Sequence, residues 1–153
     1  LPAPVNTSAF DRNPLITPDG LSLFITGFGR GKGKGGSVIG FTRTERDKDF
    51  GSPKFVDAPL NHDVPNVPDW ISPDGRVMLI TEMSTPPFES KLYTRRTKQD
   101  PFGEGQSLRA PFKPTRPWIS PDGNRLYFHA RGIEGSNGEI DIWMSKRIPV
   151  KAE

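Results

Sequence analysis

Four polar side chains that could recognise a polar ligand lie just before the apolar pairs at 15–16, 70–71 and 118–119. They are Arg12, Asn13, Asp69 and Arg116. Guanidinium, amide and carboxylate groups select a ligand through directed hydrogen bonds and charge. The same residues could instead only solvate a wet surface or pair with one another. Asp69 and Glu82 could also serve as the two carboxylates of a glycoside hydrolase, which lie roughly 5 to 9 Å apart, but spacing along the chain does not fix that distance.

The residue inventory argues against several kinds of catalytic centre. The chain contains two histidines, His62 and His129, so one chain cannot supply a three-histidine metal site. It contains no cysteine, which removes thiolate ligands and disulfides. It also lacks the Gly-x-Ser-x-Gly elbow of serine hydrolases. We therefore expect no metal and no cofactor, and a binding protein more readily than an enzyme.

A glycine-rich segment imitates a phosphate-binding loop. Gly31, Gly33 and Gly36 have the spacing of a dinucleotide fingerprint. Residues 37–41, which follow, have the composition of a strand, so no helix N-terminus is offered to a pyrophosphate. We interpret residues 27–36 as a flexible cationic loop that is solvated, with weak contact to an anionic polymer as the alternative. Its basic residues are Arg30, Lys32 and Lys34.

Charge favours neither a nucleic-acid partner nor a membrane. The 21 basic and 18 acidic residues leave a net charge of +3. Basic residues cluster only in residues 27–36 and 95–98, whereas a nucleic-acid surface usually carries a basic stripe with stacking aromatic residues. No apolar run reaches the length of about eighteen residues that a membrane helix needs.

Residues that could do chemistry must be positioned by a repeat that the chain carries three times. An apolar pair, then Ser or Thr, then Pro-Asp-Gly, occurs at 15–20, 70–75 and 118–123. Proline presets φ for the first turn position, aspartate can bond its own backbone, and glycine takes the left-handed position of a bulged hairpin. Recurrence at a period of about fifty residues is typical of repeat architectures. We predict a tight hairpin at each site, with Asp19, Asp74 and Asp122 in structural roles.

The flanks of the turns repeat as strands. Second strands are predicted at 21–26, 77–81 and 125–130, because these runs are rich in aliphatic and aromatic residues. Third strands are centred on Phe41, Tyr93 and Trp143. Fourth strands follow at 54–57 and 106–109. Each unit is therefore predicted to be a four-stranded antiparallel meander.

The Ser/Thr-Pro-Asp-Gly hairpin, the Leu-Tyr-Phe strand after it and the Asp-Ile-Trp third strand resemble the TolB-type, WD-repeat-like β-propeller family. The resemblance implies an all-β propeller whose pre-turn strand is innermost. Arg12, Asn13, Asp69 and Arg116 would then ring the channel mouth, where we expect any ligand. Trp70 and Trp118 would serve inter-blade packing more readily than ligand stacking. The family also implies an extracytoplasmic, periplasmic setting in bacteria.

Three blades do not close a ring, because propellers typically have four to eight. We expect blade 1 at about 7–57, blade 2 at about 62–109 and blade 3 at about 114–151. Residues 1–6 align with residues 56–61, as the end of a fourth strand from a blade outside this sequence. The outer strand of blade 3 is then either 148–151 or residues 1–6 of another copy. A six-bladed homodimer is favoured over a nine-bladed trimer, and a fragment of a longer propeller is the plainer alternative.

Three functions stay open at this point. The first is a non-enzymatic scaffold that assembles into a closed ring and binds a protein or a glycan at the channel mouth. The second is a carbohydrate-active hydrolase or lyase. The third is a structural unit whose property is self-association.

Overall fold

The computed structural model describes residues 1–30, 36–56, 58–61, 64–84, 86, 88–108 and 113–148. Within these segments the chain is all-β and contains no helix. The strands are β1 (Phe10–Ile16), β2 (Ser22–Phe28), β3 (Ser37–Thr42), β4 (Lys54–Phe55), β5 (Asn66–Ile71), β6 (Val77–Glu82), β7 (Glu89–Thr94), β8 (Gln106–Ser107), β9 (Thr115–Ile119), β10 (Arg125–Ala130) and β11 (Asp141–Lys146).

The strands form three antiparallel sheets, one for each repeat. Sheet 1 has the order β1-β2-β3-β4, sheet 2 the order β5-β6-β7-β8 and sheet 3 the order β11-β10-β9. The prediction of an all-β chain of antiparallel meanders is confirmed. Among the described residues sheet 3 has three strands, and the outer strand predicted at 148–151 lies, apart from Ile148, outside them.

Each hairpin turn is fixed by its own hydroxyl and carboxylate. In the second turn Ser72 Oγ donates to Asp74 Oδ1 at 2.6 Å, and the same carboxylate oxygen accepts the backbone N–H of Arg76 at 3.1 Å. Gly75 has a φ of 69°, in the left-handed region where a Cβ is strained. The equivalent hydroxyl-to-carboxylate bonds are 2.6 Å in the first turn and 2.5 Å in the third. Hence the repeat requires Ser or Thr, Asp and Gly together.

Side chains alternate between two faces of each sheet, and the register identifies equivalent faces. The forward face contains Leu15 and Phe24 in sheet 1, Trp70 and Leu79 in sheet 2, and Trp118 and Tyr127 in sheet 3, which are paired across the first two strands in each sheet. The back face contains Ile16 and Leu23 in sheet 1, Ile71 and Met78 in sheet 2, and Ile119 and Leu126 in sheet 3.

The sheets stack with a forward face against a back face. Leu15 and Phe24 of sheet 1 pack on a buried cluster that includes Ile71, Met78 and Ile80 of sheet 2. On the other side of sheet 2, β9 contacts β5, β6 and β7. The inner strands therefore lie side by side in the order β1, β5, β9.

The aromatic residue of the third strand does not keep its register in sheet 3. Phe41 pairs with Leu23 and Tyr93 pairs with Met78, but the equivalent Leu126 pairs with Ser145. Trp143 lies two residues earlier, opposite Phe128.

Arg30 forms a buried ion pair with Asp11. The prediction that the basic residues of this loop are solvated was therefore wrong for Arg30. Its guanidinium donates to Asp11 Oδ2 at 2.7 Å and to the carbonyl oxygen of Val5 at 2.5 Å. The side chains of Arg30 and Asp11 are 9% and 10% exposed. Val5 packs with Leu23 and other back-face residues of sheet 1. The pair thus ties residues 1–7 to this face. Lys32 and Lys34 lie outside the described residues.

Candidate functional site

Three of the four residues predicted to bind a ligand meet at one point, and each comes from a different sheet. Arg116 Nη1 of sheet 3 donates to Asn13 Oδ1 of sheet 1 at 3.3 Å and to Asp69 Oδ1 of sheet 2 at 3.4 Å. Asn13, Asp69 and Arg116 are defined here as the mouth cluster. Arg12 lies apart from it and places its guanidinium 5.2 Å from the centre of the Phe10 ring.

A bulge in every inner strand delivers these side chains to the same level. The pairing register shifts between Arg12 and Leu15 in β1, and at the equivalent positions of β5 and β9. Asn13 and Arg116 have φ values of 53° and 54°, and each precedes a proline. A left-handed backbone at such residues costs of order 1 to 3 kcal/mol and is found where a side chain must be aimed.

Asp69 is the buried centre of the mouth cluster. Its side chain is 6% exposed, while that of Arg116 is 34% exposed. Burial raises the pKa of the Asp69 carboxyl from 3.8 to about 6, against the opposing effects of the Thr81 hydroxyl and the Arg116 guanidinium. The site therefore holds a carboxylate that gains a proton near pH 6, beside a permanent cation that still reaches solvent.

Thr81 is a member of the site that the sequence did not indicate. Its Oγ1 donates to Asp69 Oδ2 at 2.5 Å, lies 2.8 Å from Ser90 Oγ and accepts the backbone N–H of Arg116 at 3.1 Å. It therefore joins the carboxylate of sheet 2 to the bulge of sheet 3. The available signal was its position at the end of the second strand of the repeat, where sheet 1 carries Thr26.

An apolar groove continues from the mouth cluster along the same inner strands, towards the turns. It has a volume of about 240 Å³. Its lining residues are Leu15, Ile16, Pro18, Trp70, Ile71, Pro73, Trp118, Ile119 and Pro121. Trp118 is 45% exposed, and its ring centre lies 5.8 Å from that of Tyr127. Both inner-strand tryptophans thus border an open surface, next to polar groups that can fix the orientation of a ligand.

The carboxylates of Asp69 and Glu82 do not form a catalytic pair. Asp69 bonds to Thr81, whereas Glu82 accepts the hydroxyl of Tyr93 at 2.9 Å. Thr81 and Glu82 are consecutive in β6, so their side chains point to opposite faces of sheet 2. Lys91 further pairs with Glu82 at 2.8 Å. The two carboxylates therefore cannot flank one bond of a substrate.

In the part of the chain that the structure describes, no group of three or more His, Asp or Glu residues could hold a metal ion. Nor does that part contain a helix with the length and apolarity to cross a membrane. His62 and most of the glycine loop, residues 31–35, lie outside the described residues.

The sequence matches no protein-family model and no curated protein. The candidate site is a mouth cluster of opposite charges next to a groove lined by two tryptophans.

Proposed function

We propose that this chain is a non-enzymatic β-propeller module of the TolB-like, WD-repeat-like type, which assembles with its own copies into a closed ring and binds a protein or a glycan at the channel mouth. Sheets 1, 2 and 3 are the three blades of this proposal. Two copies would give six blades, a number within the usual range, whereas three copies would give nine. The resemblance of the repeats also favours an extracytoplasmic, periplasmic setting.

The observation that carries the binding proposal is the convergence of the mouth cluster from three separate sheets. Equivalent bulges in β1, β5 and β9 bring polar side chains together. Because Arg116 is 34% exposed and Asp69 is 6% exposed, the cation faces an incoming ligand while the carboxylate holds the cation in place. A guanidinium in this position can donate two parallel hydrogen bonds to a carboxylate or to adjacent hydroxyls of a sugar.

The apolar groove supplies the second half of such a site. Trp70 lines this groove next to the mouth cluster. Ligand sites combine an apolar surface with a few fixed polar groups, and the apolar face of a sugar ring or a peptide side chain fits this combination.

The test is direct binding to two panels, one of neutral and acidic oligosaccharides and one of short peptides, followed by titration calorimetry of any hit. Arg116→Gln removes the exposed cation, and we expect it to weaken binding at least about tenfold, as expected when a charge-assisted hydrogen bond is lost. Arg125→Gln is the matched control, since Arg125 is half exposed at the turn end of the same sheet. Equal loss in both variants, or no ligand in either panel, would contradict the proposed site.

A carbohydrate-active hydrolase or lyase is the second candidate. It is favoured by the raised pKa of Asp69, about 6, because a carboxyl group with this pKa can act as a general acid. Turnover of a bound oligosaccharide that Asp69→Asn abolishes while leaving binding intact would establish this candidate over the binding module. Binding without any turnover would favour the module.

A further inference from the structure

The two sheet interfaces within the chain have the same polarity, and this polarity identifies the surfaces that remain open. The forward face of sheet 1 covers the back face of sheet 2, and the forward face of sheet 2 covers the back face of sheet 3. The stack therefore ends in a forward face on sheet 3 and a back face on sheet 1. The inference below rests on the self-assembly part of the proposed function.

The forward face of sheet 3 carries large apolar side chains in contact with solvent. Ile142 is 76% exposed, but Val38, at the equivalent position in sheet 1, is 0% exposed. Tyr127 is 37% exposed, whereas the equivalent Leu79 of sheet 2 is 1% exposed. Met144 on the same face is 45% exposed. Ile142 and Tyr127 thus occupy positions that are buried where another sheet follows.

The back face of sheet 1 is open at its edge, since the residues of its cluster, Val5, Leu23, Ile25, Ile39, Phe41 and Phe50, are already at most 7% exposed within the chain. Its cluster contains the equivalents of the sheet 2 cluster, with Val5 in the place of Leu60 and Phe50 in the place of Phe102. The sheet 2 cluster is completed by forward-face residues of sheet 1, and no such residues reach the cluster of sheet 1 among those the structure describes. Consequently Ile16 is 51% exposed, while the equivalent Ile71 is 3% exposed.

Charges at the rim are complementary in the same sense. Between sheets 1 and 2, Lys98 Nζ lies 3.0 Å from Asp19 Oδ2 of the first turn. The equivalent positions on the two open surfaces are held by Asp122, in the turn of sheet 3, and Arg46, after β3 of sheet 1. Arg46 also donates to the carbonyl oxygens of Asp19 and Pro18, and Asp122 lies 3.9 Å from Arg125. Apposition of these surfaces would place an acid opposite a base, as between sheets 1 and 2.

We infer that the forward face of sheet 3 docks on the back face of sheet 1 of a second copy of this chain. Trp118 and Tyr127 then pack against Ile16 and the edge of the cluster around Val5, as Leu15 and Phe24 pack against the cluster around Leu60. The contact joins two different surfaces, so a two-fold ring of two copies contains it twice. Residues 1–7 of the second copy then lie at the seam, as residues 58–61 do between sheets 1 and 2.

Two aspartate substitutions at exposed positions test this polarity without disturbing the separate copies. Ile142→Asp marks the forward face and Ile16→Asp marks the back face, and both positions are more than half exposed. Each variant alone spoils both contacts of a two-copy ring, because a carboxylate would be buried without a partner, and we expect dimerisation to weaken at least about tenfold. Ile148→Asp, at an 83% exposed isoleucine beyond β11, is the matched control and should stay dimeric.

The decisive measurement is the mass of an equimolar mixture of the two variants by light scattering after size exclusion. One contact in the mixed dimer is then doubly altered and the other is unaltered. An open dimer held by the unaltered contact should therefore appear in the mixture, whereas neither variant alone has an unaltered contact. A dimer built from two forward faces would behave differently, because mixing could not restore it.

The outcomes separate this inference from the proposed function. A wild-type dimer whose variants stay dimeric, or whose mixture stays monomeric, overturns the docking while self-association stands. A monomeric wild type overturns the docking and the closed ring together, and would leave the face to a different protein or to further sheets of a longer chain. Ligand binding at the mouth cluster is measured separately, with Arg116→Gln, and is unaffected by these results.

Discussion

Replacing Asp69 by asparagine should change how the stability of this protein depends on pH. Burial raises the pKa of Asp69 from 3.8 to about 6, so the folded protein holds this proton more tightly than the unfolded chain does. Folding therefore takes up a proton between these two values, and the free energy of unfolding falls as the pH rises from about 4 to about 6, then levels off. A shift of about two pKa units corresponds to about 3 kcal/mol at pH 7.

The turn carboxylates act in a different pH window, which makes the prediction separable. Hydrogen bonds from Thr17, Ser72 and Ser120 lower the pKa values of the three turn aspartates, Asp19, Asp74 and Asp122. Their contribution to stability is complete above the unfolded value of 3.8 and is lost as the pH falls below it. Stability should therefore pass through a maximum close to pH 4 to 5, falling below it because of the turns and above it because of Asp69.

The assay is urea unfolding at pH 4, 5, 6 and 7, followed by tryptophan fluorescence at one fixed protein concentration. Asp69→Asn keeps the size of the side chain and an oxygen acceptor for Thr81, and we expect it to remove the decline between pH 4 and 6. Arg116, Thr81 and Asn13 are the groups gathered around this carboxylate, and they stay unchanged. Asp47→Asn is the control, because the Asp47 side chain is 72% exposed. An unaltered decline in Asp69→Asn would refute the reasoning.

Three further substitutions test local features. Gly123→Ala should cost about 1 kcal/mol in denaturant unfolding, because φ is 70° there and the added methyl meets open space, so only backbone strain acts; Gly103→Ala, where φ is not positive, should cost less. Arg30→Ala should cost about 3 kcal/mol and speed amide exchange in residues 1–7, since it strands a buried carboxylate. Equal exchange in the control Arg131→Ala, at a side chain that is 67% exposed, would contradict this. Gly40→Leu should stabilise the chain by about 1 kcal/mol in the same unfolding assay, because the leucine fills part of a cleft of about 390 Å³ between sheets 1 and 2. A lower unfolding midpoint would show that the cleft cannot accept the side chain.

The turns and strands could be predicted because their causes are local. Ser72, Asp74 and Gly75 satisfy one another within four residues, so their chemistry is legible in the sequence. The aliphatic and aromatic composition of residues 125–130 likewise predicted the bounds of β10, Arg125–Ala130, to the residue. Neither inference needed any knowledge of the neighbouring sheets.

The errors arose where distant segments decide the outcome. Arg30 stands among glycines and was expected to be solvated, but Asp11 and the carbonyl of Val5 reach it from about twenty residues earlier in the chain. Trp143 was aligned with Tyr93 by residue type, although strand pairing puts it opposite Phe128, two residues earlier than the equivalent position. Residue type alone does not fix strand register.

The sequence indicated some members of the mouth cluster but not how they are oriented. Their positions in the repeat predicted that Asn13, Asp69 and Arg116 lie at the same end of the inner strands. In the structure Arg116 donates hydrogen bonds to both of the other side chains. The bulge that aims them was not foreseeable, because residues before proline disfavour helical backbone angles and yet two of them adopt the left-handed form. Arg12, one residue from the bulge, consequently points elsewhere.

The constant order of faces along the stack bears on how such a chain can change in length over evolution. Duplicating or deleting one whole repeat leaves a forward face at one end and a back face at the other, whatever the number of units. Growth by gene duplication thus needs no new kind of contact between sheets. Selection can then diversify the side chains at the inner-strand bulges, one in each unit, while the forward and back faces keep the same contacts.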